Sequence, residues 1–151
     1  MFASSKSIDL LKQVIATQHF AVLATQDYKQ PYINLVAFVA SDDLSNILFA
    51  TGRNTRKYRN IMENEKVALL IDSRRNDASD LTDALAITAL GSADEITENS
   101  SDKLIITYLN RHPSLSEFFR RSETSIIRIN VTEYILASFD KLERIQMDKR
   151  P

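Results

Sequence analysis

The sequence predicts a mainly β protein with flanking α-helices, six antiparallel strands closing or nearly closing into a barrel. Three observations carry this prediction. Short runs rich in β-branched, aromatic and aliphatic residues recur from His19 to Ser138. The first of them are joined by brief polar connections, Asp27–Pro31 and Ser41–Asn46, so successive strands fold back as hairpins. Helical spacing is confined to the start, the middle and the later part of the chain, which leaves the sheet dominant. Closure is the economical way to remove its exposed edges.

In chain order, Ile8–Ala16 places Ile8, Leu11, Val14 and Ile15 at helical spacing behind Ser7, a fair N-cap. His19–Thr25 is short and apolar and reads as a buried strand, and Tyr32–Ala40, rich in β-formers, as the next. Ile47–Thr51 is the third strand. Thr55–Glu63 follows as a short helix with Tyr58, Ile61 and Met62 inward, and Lys66–Asp72 as the fourth strand. Ser73–Asp83 is the most polar stretch and is expected to be a mobile loop. Ala84–Ile96 reads as a long fifth strand in which Gly91 marks a bulge or bend. A helix is expected over Ser100–Leu109, limited by Pro113, then a short helical piece over Leu115–Phe119. Thr124–Ser138 supplies a final strand or pair, with Ile127, Ile129 and Val131 alternating against Arg128 and Asn130.

The chain of 151 residues suits a single domain, residues 1–151, with no repeat, low-complexity tract or dividing linker. Hydrophobic residues at 44% and charged residues at 26% are ordinary for a globular protein. A net charge of −1 argues against a nucleic-acid partner, which demands a strong basic excess. Without cysteine there is no disulfide, zinc–thiolate or thiol chemistry. No window approaches a transmembrane span and Met1–Lys12 lacks the apolar core of a signal peptide, so a cytoplasmic protein without a membrane partner is expected.

Catalytic signatures are sparse. HExxH, GxSxG and glycine-rich phosphate loops do not occur, and the chain has only two glycines. No metal site is expected. His19 reads as a core or edge residue, His112 as part of a helix-ending turn, and Asp42-Asp43 and Asp94-Glu95 as solvated surface.

The informative stretch is Ile47–Asp72. One strand ends at Thr51, a helix begins at Thr55, and Arg53, Arg56, Lys57 and Arg59 crowd that helix start. Cations at a helix N-terminus oppose its dipole at a cost of a few tenths to about 1 kcal/mol each. A bound anion offsets that cost, and phosphate is the usual one, although the charges taken alone favour a solvated basic helix end. The adjacent Arg56 and Lys57 side chains both reach one phosphate only if it sits over the helix start. Leu35, Val36 and Ala37 on the preceding strand offer an apolar wall, so that a planar phosphorylated cofactor suits the combination.

The pieces AVLAT (Ala21–Thr25), PYINLVAF (Pro31–Phe38), ILFAT (Ile47–Thr51), TRKYRNI (Thr55–Ile61) and VALLID (Val67–Asp72) resemble the flavin-binding split-barrel proteins related to pyridoxamine 5′-phosphate oxidase. The likeness continues more weakly through Ala86–Ile96. It implies a six-stranded antiparallel split β-barrel with peripheral helices, and FMN held non-covalently with its phosphate on Thr51, Thr55, Arg56 and Lys57. It further implies that Asn34, Leu35, Val36 and Ala37 lie along the ribityl chain and flavin ring. The family forms homodimers with flavin at the subunit interface, where Thr88 would approach the partner's flavin. An FMN-dependent oxidoreductase acting on an unidentified small molecule is the function this implies. The alternative is a non-catalytic flavin, deazaflavin or heme binding or sensor protein.

The departures narrow it. Tyr32–Ala40 carries no basic residue where true pyridoxamine phosphate oxidases do, and Lys141–Pro151 does not match their C-terminal arginine motif. Oxidation of pyridoxamine phosphate itself is therefore not expected. The histidine-bearing extensions of heme-degrading relatives do not appear either.

Overall fold

The computed structural model describes residues 4–97 and 102–147. Helix α1 (Ser5–Thr17) is capped by Ser4, whose hydroxyl accepts from the Ser7 amide at 3.2 Å. The cap thus precedes the expected Ser7, which is itself buried. Leu11, Val14 and Ile15 are the buried face, as the spacing predicts.

Two hairpins follow: β1 (Phe20–Asp27), β2 (Gln30–Ala40) and β3 (Asn46–Gly52). Helix α2 (Arg56–Glu63) leads to β4 (Lys66–Asp72), which pairs back onto β1, and β5 (Ala86–Ile96) pairs with β4. The last long strand, β6 (Thr124–Ala137), pairs along its length with β5 while its first half also pairs with β3 from Asn46↔Asn130 to Gly52↔Thr124. That second pairing closes the ring β3-β2-β1-β4-β5-β6 into a six-stranded antiparallel barrel. Gly91 marks the expected bulge, with the β5–β6 register shifting between Leu90 and Gly91. A Cβ there would stand 2.4 Å from the Asn130 carbonyl oxygen, so only glycine lets the strands approach this closely.

Thr124–Ser138, expected as a strand or a pair, is one strand. Two features depart from expectation. An unforeseen β7 (Leu142–Gln146) adds to the second half of β6 outside the ring. On α2 the buried residues are Asn60 and Ile61, whereas Met62 is 46% exposed. The polar 73–83 stretch is built around Asp80, whose carboxylate accepts from the amides of Arg75, Asn76 and Asp77 at the start of α3 (Asp80–Asp83). Those amides, Arg75 foremost, hold the Asp80 carboxyl below its usual range.

The expected helix near 100–109 is α4 (Lys103–Arg111), capped by Asp102; residues 98–101 lie outside the described residues. A 3-10 turn (Pro113–Leu115) and α5 (Ser116–Phe119) complete the helices. Leu23, Phe38, Phe49, Leu69, Ile87, Ile127 and Tyr134 fill the barrel interior. Val39, Leu48, Ile105, Tyr108, Phe119 and Ile126 form a second apolar cluster outside the wall, beneath α4 and α5. The Tyr134 hydroxyl donates to the Leu44 carbonyl at 2.6 Å inside the core, and burial raises its pKa strongly.

Candidate functional site

The barrel wall opens where β2 and β3 part. Their pairing covers only Phe38↔Phe49 to Ala40↔Ile47, whereas β2 begins at Gln30. From Gln30 to Ala37 β2 is therefore paired on one edge only, with β1, and its other edge offers backbone groups to a ligand. Helix α2 starts immediately after β3 and packs against β1 and β5.

Its first turn is locked by hydroxyls. Thr55 is the N-cap: its Oγ1 accepts from the Tyr58 amide at 3.3 Å and donates to the Gly52 carbonyl at 2.9 Å. With that proton committed, Thr51 Oγ1 donates to Thr55 Oγ1 across 2.9 Å. Thr51 is only 2% exposed, so it stands behind Thr55 and positions it. The first intrahelical bond runs from the Arg59 amide to the Thr55 carbonyl, leaving the Arg56 and Lys57 amides without intrahelical acceptors. Farther down the helix, Asn60 Nδ2 donates to buried Thr25 Oγ1 at 3.0 Å and pins α2 to β1.

The four cations separate. Arg56 Nη2 lies 3.0 Å from Asp27 Oδ2, with its guanidinium carbon 4.4 Å from the centroid of the Tyr32 ring on the open stretch of β2. Lys57 is half-buried, has no ion pair among the described residues, and is pushed below the usual lysine pKa by desolvation. Arg59 Nη1 donates to the Asn54 carbonyl. Arg53 points to the opposite flank, donating Nε to Glu95 Oε1 at 2.9 Å and Nη1 to the Ser122 carbonyl at 2.7 Å. Tyr58 donates its hydroxyl to Glu95 Oε2 at 2.8 Å, so Glu95, read as solvated surface, is a structural anchor for α2. Against the opposing effect of burial, the Tyr58 hydroxyl and the Arg53 guanidinium hold its carboxyl below the ordinary range.

Asn34 lies two residues along β2 from Tyr32 and hence on the same face. Its Oδ1 is buried without a hydrogen-bond partner, a costly condition that a ligand hydroxyl would relieve. Leu35, Val36 and Ala37 do not form one apolar wall. Leu35 is 65% exposed on the outer face and Val36 is buried inside, as strand alternation requires. What the three share is the open backbone edge.

Thr88 lies far from that edge within one chain. It stands in a row across the outer sheet face, Leu35–Val22–Leu70–Thr88–Ile135, set by successive strand pairings. Ile33, Leu35 and Phe20 on the same face are 66%, 65% and 63% exposed. The result is a broad apolar surface, larger than scattered exposed residues account for.

His19 is exposed beside β1, while His112 is buried and bonded through Nε2 to the Phe38 carbonyl at 2.9 Å, which fixes the neutral proton on Nε2. Desolvation lowers its pKa, outweighing the Phe38 hydrogen bond that raises it. The unfolded chain therefore takes up this proton first as the pH falls through the ordinary value of about 6.5. Stability is expected to be full above that value and to decline below it, levelling once the folded ring is protonated. Urea unfolding of the wild type and His112→Gln across this range checks the effect: the variant should lose that component of the slope.

Among the described residues, no helix is long and apolar enough to cross a membrane.

Comparison with known proteins agrees with this architecture. The pyridoxamine 5′-phosphate oxidase family profile matches residues 8–136, nearly the whole barrel and the α2 site. The chain belongs to the pyridoxamine 5′-phosphate oxidase family. Among curated proteins no sequence matches it. Several solved structures share the fold. A Clostridium acetobutylicum protein related to general stress protein 26, of the pyridoxinephosphate oxidase family, superposes with a TM-score of 0.74 at 11% identity, covering 96% of this chain and 97% of that one. An FAD-binding protein from Mesorhizobium loti gives 0.67 at 14% identity, with 84% and 89% covered. A heme binding protein from Mycobacterium smegmatis gives 0.82 at 12% identity over 95% of this chain, which spans 59% of that protein. At these identities the likeness is one of fold.

Proposed function

We propose that the protein binds FMN non-covalently at the α2 start and acts, as a homodimer, as a flavin-dependent oxidoreductase on a small molecule. The observation that carries this reading is the pairing of an anion-ready helix start with the open edge of β2. Thr55, the free Arg56 and Lys57 amides and the two side-chain cations suit a phosphate. Lys57, half-buried and without an ion pair among the described residues, gains a counter-ion when phosphate binds. Buried Asn34 Oδ1 fits a ribityl hydroxyl, and the β2 edge from Gln30 to Ala37 suits the polar rim of a flat ring. When bound, the flavin supplies the hydride or electron transfer. The chain's part is to hold the phosphate, orient the ring and exclude water. Because β2 offers no basic residue between Tyr32 and Ala40, a substrate other than pyridoxamine phosphate is favoured.

The exposed apolar outer face supports the homodimer reading. A second copy covering Leu35, Phe20 and Ile33 would bring Thr88 toward the partner's cofactor. Leu35→Glu places a charge in that contact, and the variant is expected to sediment as a folded monomer while the wild type sediments as a dimer. A wild type that is monomeric at micromolar concentration contradicts the assignment.

Purified protein supplied with FMN should quench flavin fluorescence, remain coloured after desalting and oxidise NAD(P)H with an added electron acceptor. Quenching without turnover leaves a flavin carrier or sensor. Absence of quenching removes the cofactor assignment. A heme carrier is the second reading, favoured by the likeness to the mycobacterial fold and by exposed His19 as an axial ligand. A Soret band on hemin addition that is lost in His19→Ala distinguishes it.

A further inference from the structure

We infer that the cavity lined by Arg53, Arg120 and Arg121 is a second anion-binding site, taking the carboxylate or phosphate group of a small molecule. It stands apart from the cofactor end and does not depend on the cofactor assignment. The turn from Gly52 to Thr55 sends its cations to two flanks: Arg56 and Lys57 toward β1 and β2, Arg53 toward β5 and β6. On the second flank lies a cavity of about 450 Å³ between the end of β5, the start of β6 and the residues after α5. Three guanidinium groups line it against one carboxylate, Glu95. That carboxylate is already engaged by Arg53 through one oxygen and by Tyr58 through the other. Glu123 does not line the cavity and accepts from the Ser122 hydroxyl at 3.3 Å.

Arg120 and Arg121 have no ion pair or side-chain hydrogen bond among the described residues, although two adjacent cations facing one cavity repel each other. Their donors are free for a forked, charge-assisted contact with an oxyanion. Arg53 is immobilised by Glu95 and the Ser122 carbonyl, so it supplies fixed positive potential rather than a mobile donor. Thr97 and Thr124 add polar lining, Thr124 with its hydroxyl turned to the Phe118 carbonyl. The open, polar character suits the acidic end of a metabolite better than an apolar body.

The test is a backbone-amide NMR titration of the full chain with inorganic phosphate and, separately, with succinate. Saturable shifts of the Thr97, Ser122, Glu123 and Thr124 amides are expected with either anion. They should weaken about tenfold or more in Arg120→Ala/Arg121→Ala, and persist in Lys57→Ala. Shifts that fail to saturate, or that survive unchanged in the double arginine variant, overturn the site. Shifts confined to Thr55–Lys57 also overturn it while leaving the cofactor assignment standing. Saturable shifts at Thr97 and 122–124 without any at Thr55–Lys57 support the second site, and FMN quenching decides the cofactor assignment separately.

Discussion

Replacing Arg56 and Lys57 together by alanine is expected to weaken FMN binding by about 3 to 4 kcal/mol, roughly 100- to 1,000-fold, since each removes a charge-assisted contact. Fluorescence quenching titrations measure it. The two residues differ in the ligand-free protein, and that difference sharpens the test. Arg56 has Asp27 and the Tyr32 ring as partners, whereas Lys57 has no counter-ion among the described residues and sits at the wrong end of the helix dipole. Lys57→Ala alone should therefore stabilise the ligand-free chain by about 0.5 kcal/mol while weakening the flavin complex. A residue that harms stability and serves binding marks a site; at a merely solvated basic helix end the variant would gain the same stability and leave FMN binding unchanged. If the double variant binds FMN as the wild type does, the phosphate lies elsewhere.

Phe49→Ala is expected to be the most damaging single core change, costing about 3 to 5 kcal/mol. Phe49 is fully buried in the barrel between Phe38 on β2 and Ile127 on β6, and no neighbour can collapse into the space without opening the ring. Against a typical total of about 5–15 kcal/mol this is a large fraction. Phe49→Leu, which keeps most of the volume, should cost about 1.5 kcal/mol or less. Urea midpoints at fixed protein concentration and unchanged slope read both. Because Phe49 precedes Thr51 by two residues on the same strand, its loss should also loosen the Thr51–Thr55 hydroxyl pair and with it the α2 start. Near-wild-type stability of Phe49→Ala would contradict the closed ring.

Most of the barrel was legible because its strands are apolar runs bounded by polar turns, a pattern that local physics enforces. Asn46–Gly52 and Lys66–Asp72 needed nothing beyond their own residues. β7 was not legible: Leu142-Glu143-Arg144-Ile145-Gln146 has two apolar residues, and its strand state comes from pairing with β6. The single bent course of β6 also depends on long-range pairing, since its two halves find different neighbours, β3 and β7.

At the site, the cluster of cations was visible but its sorting was not. Arg53 turns away because of Glu95, 42 residues distant, and nothing local announces that partner. Burial of Thr51 likewise follows from closure of β3 onto β6. The opposite facing of Leu35 and Val36, by contrast, follows from simple strand alternation, which the reading of Leu35, Val36 and Ala37 as one wall overlooked. Asn60 and Thr25, joined in the interior, became recognisable as a pair only once α2 lay across β1.

The most direct test of a phosphate anchor at the start of α2 is the ratio of affinities for FMN and riboflavin, which differ only in the phosphate. Parallel quenching titrations of the wild-type protein should give FMN an advantage of about 100-fold or more, collapsing toward unity in Arg56→Ala/Lys57→Ala. Equal affinity for the two flavins in the wild type, or a preference that survives in the double variant, would contradict it.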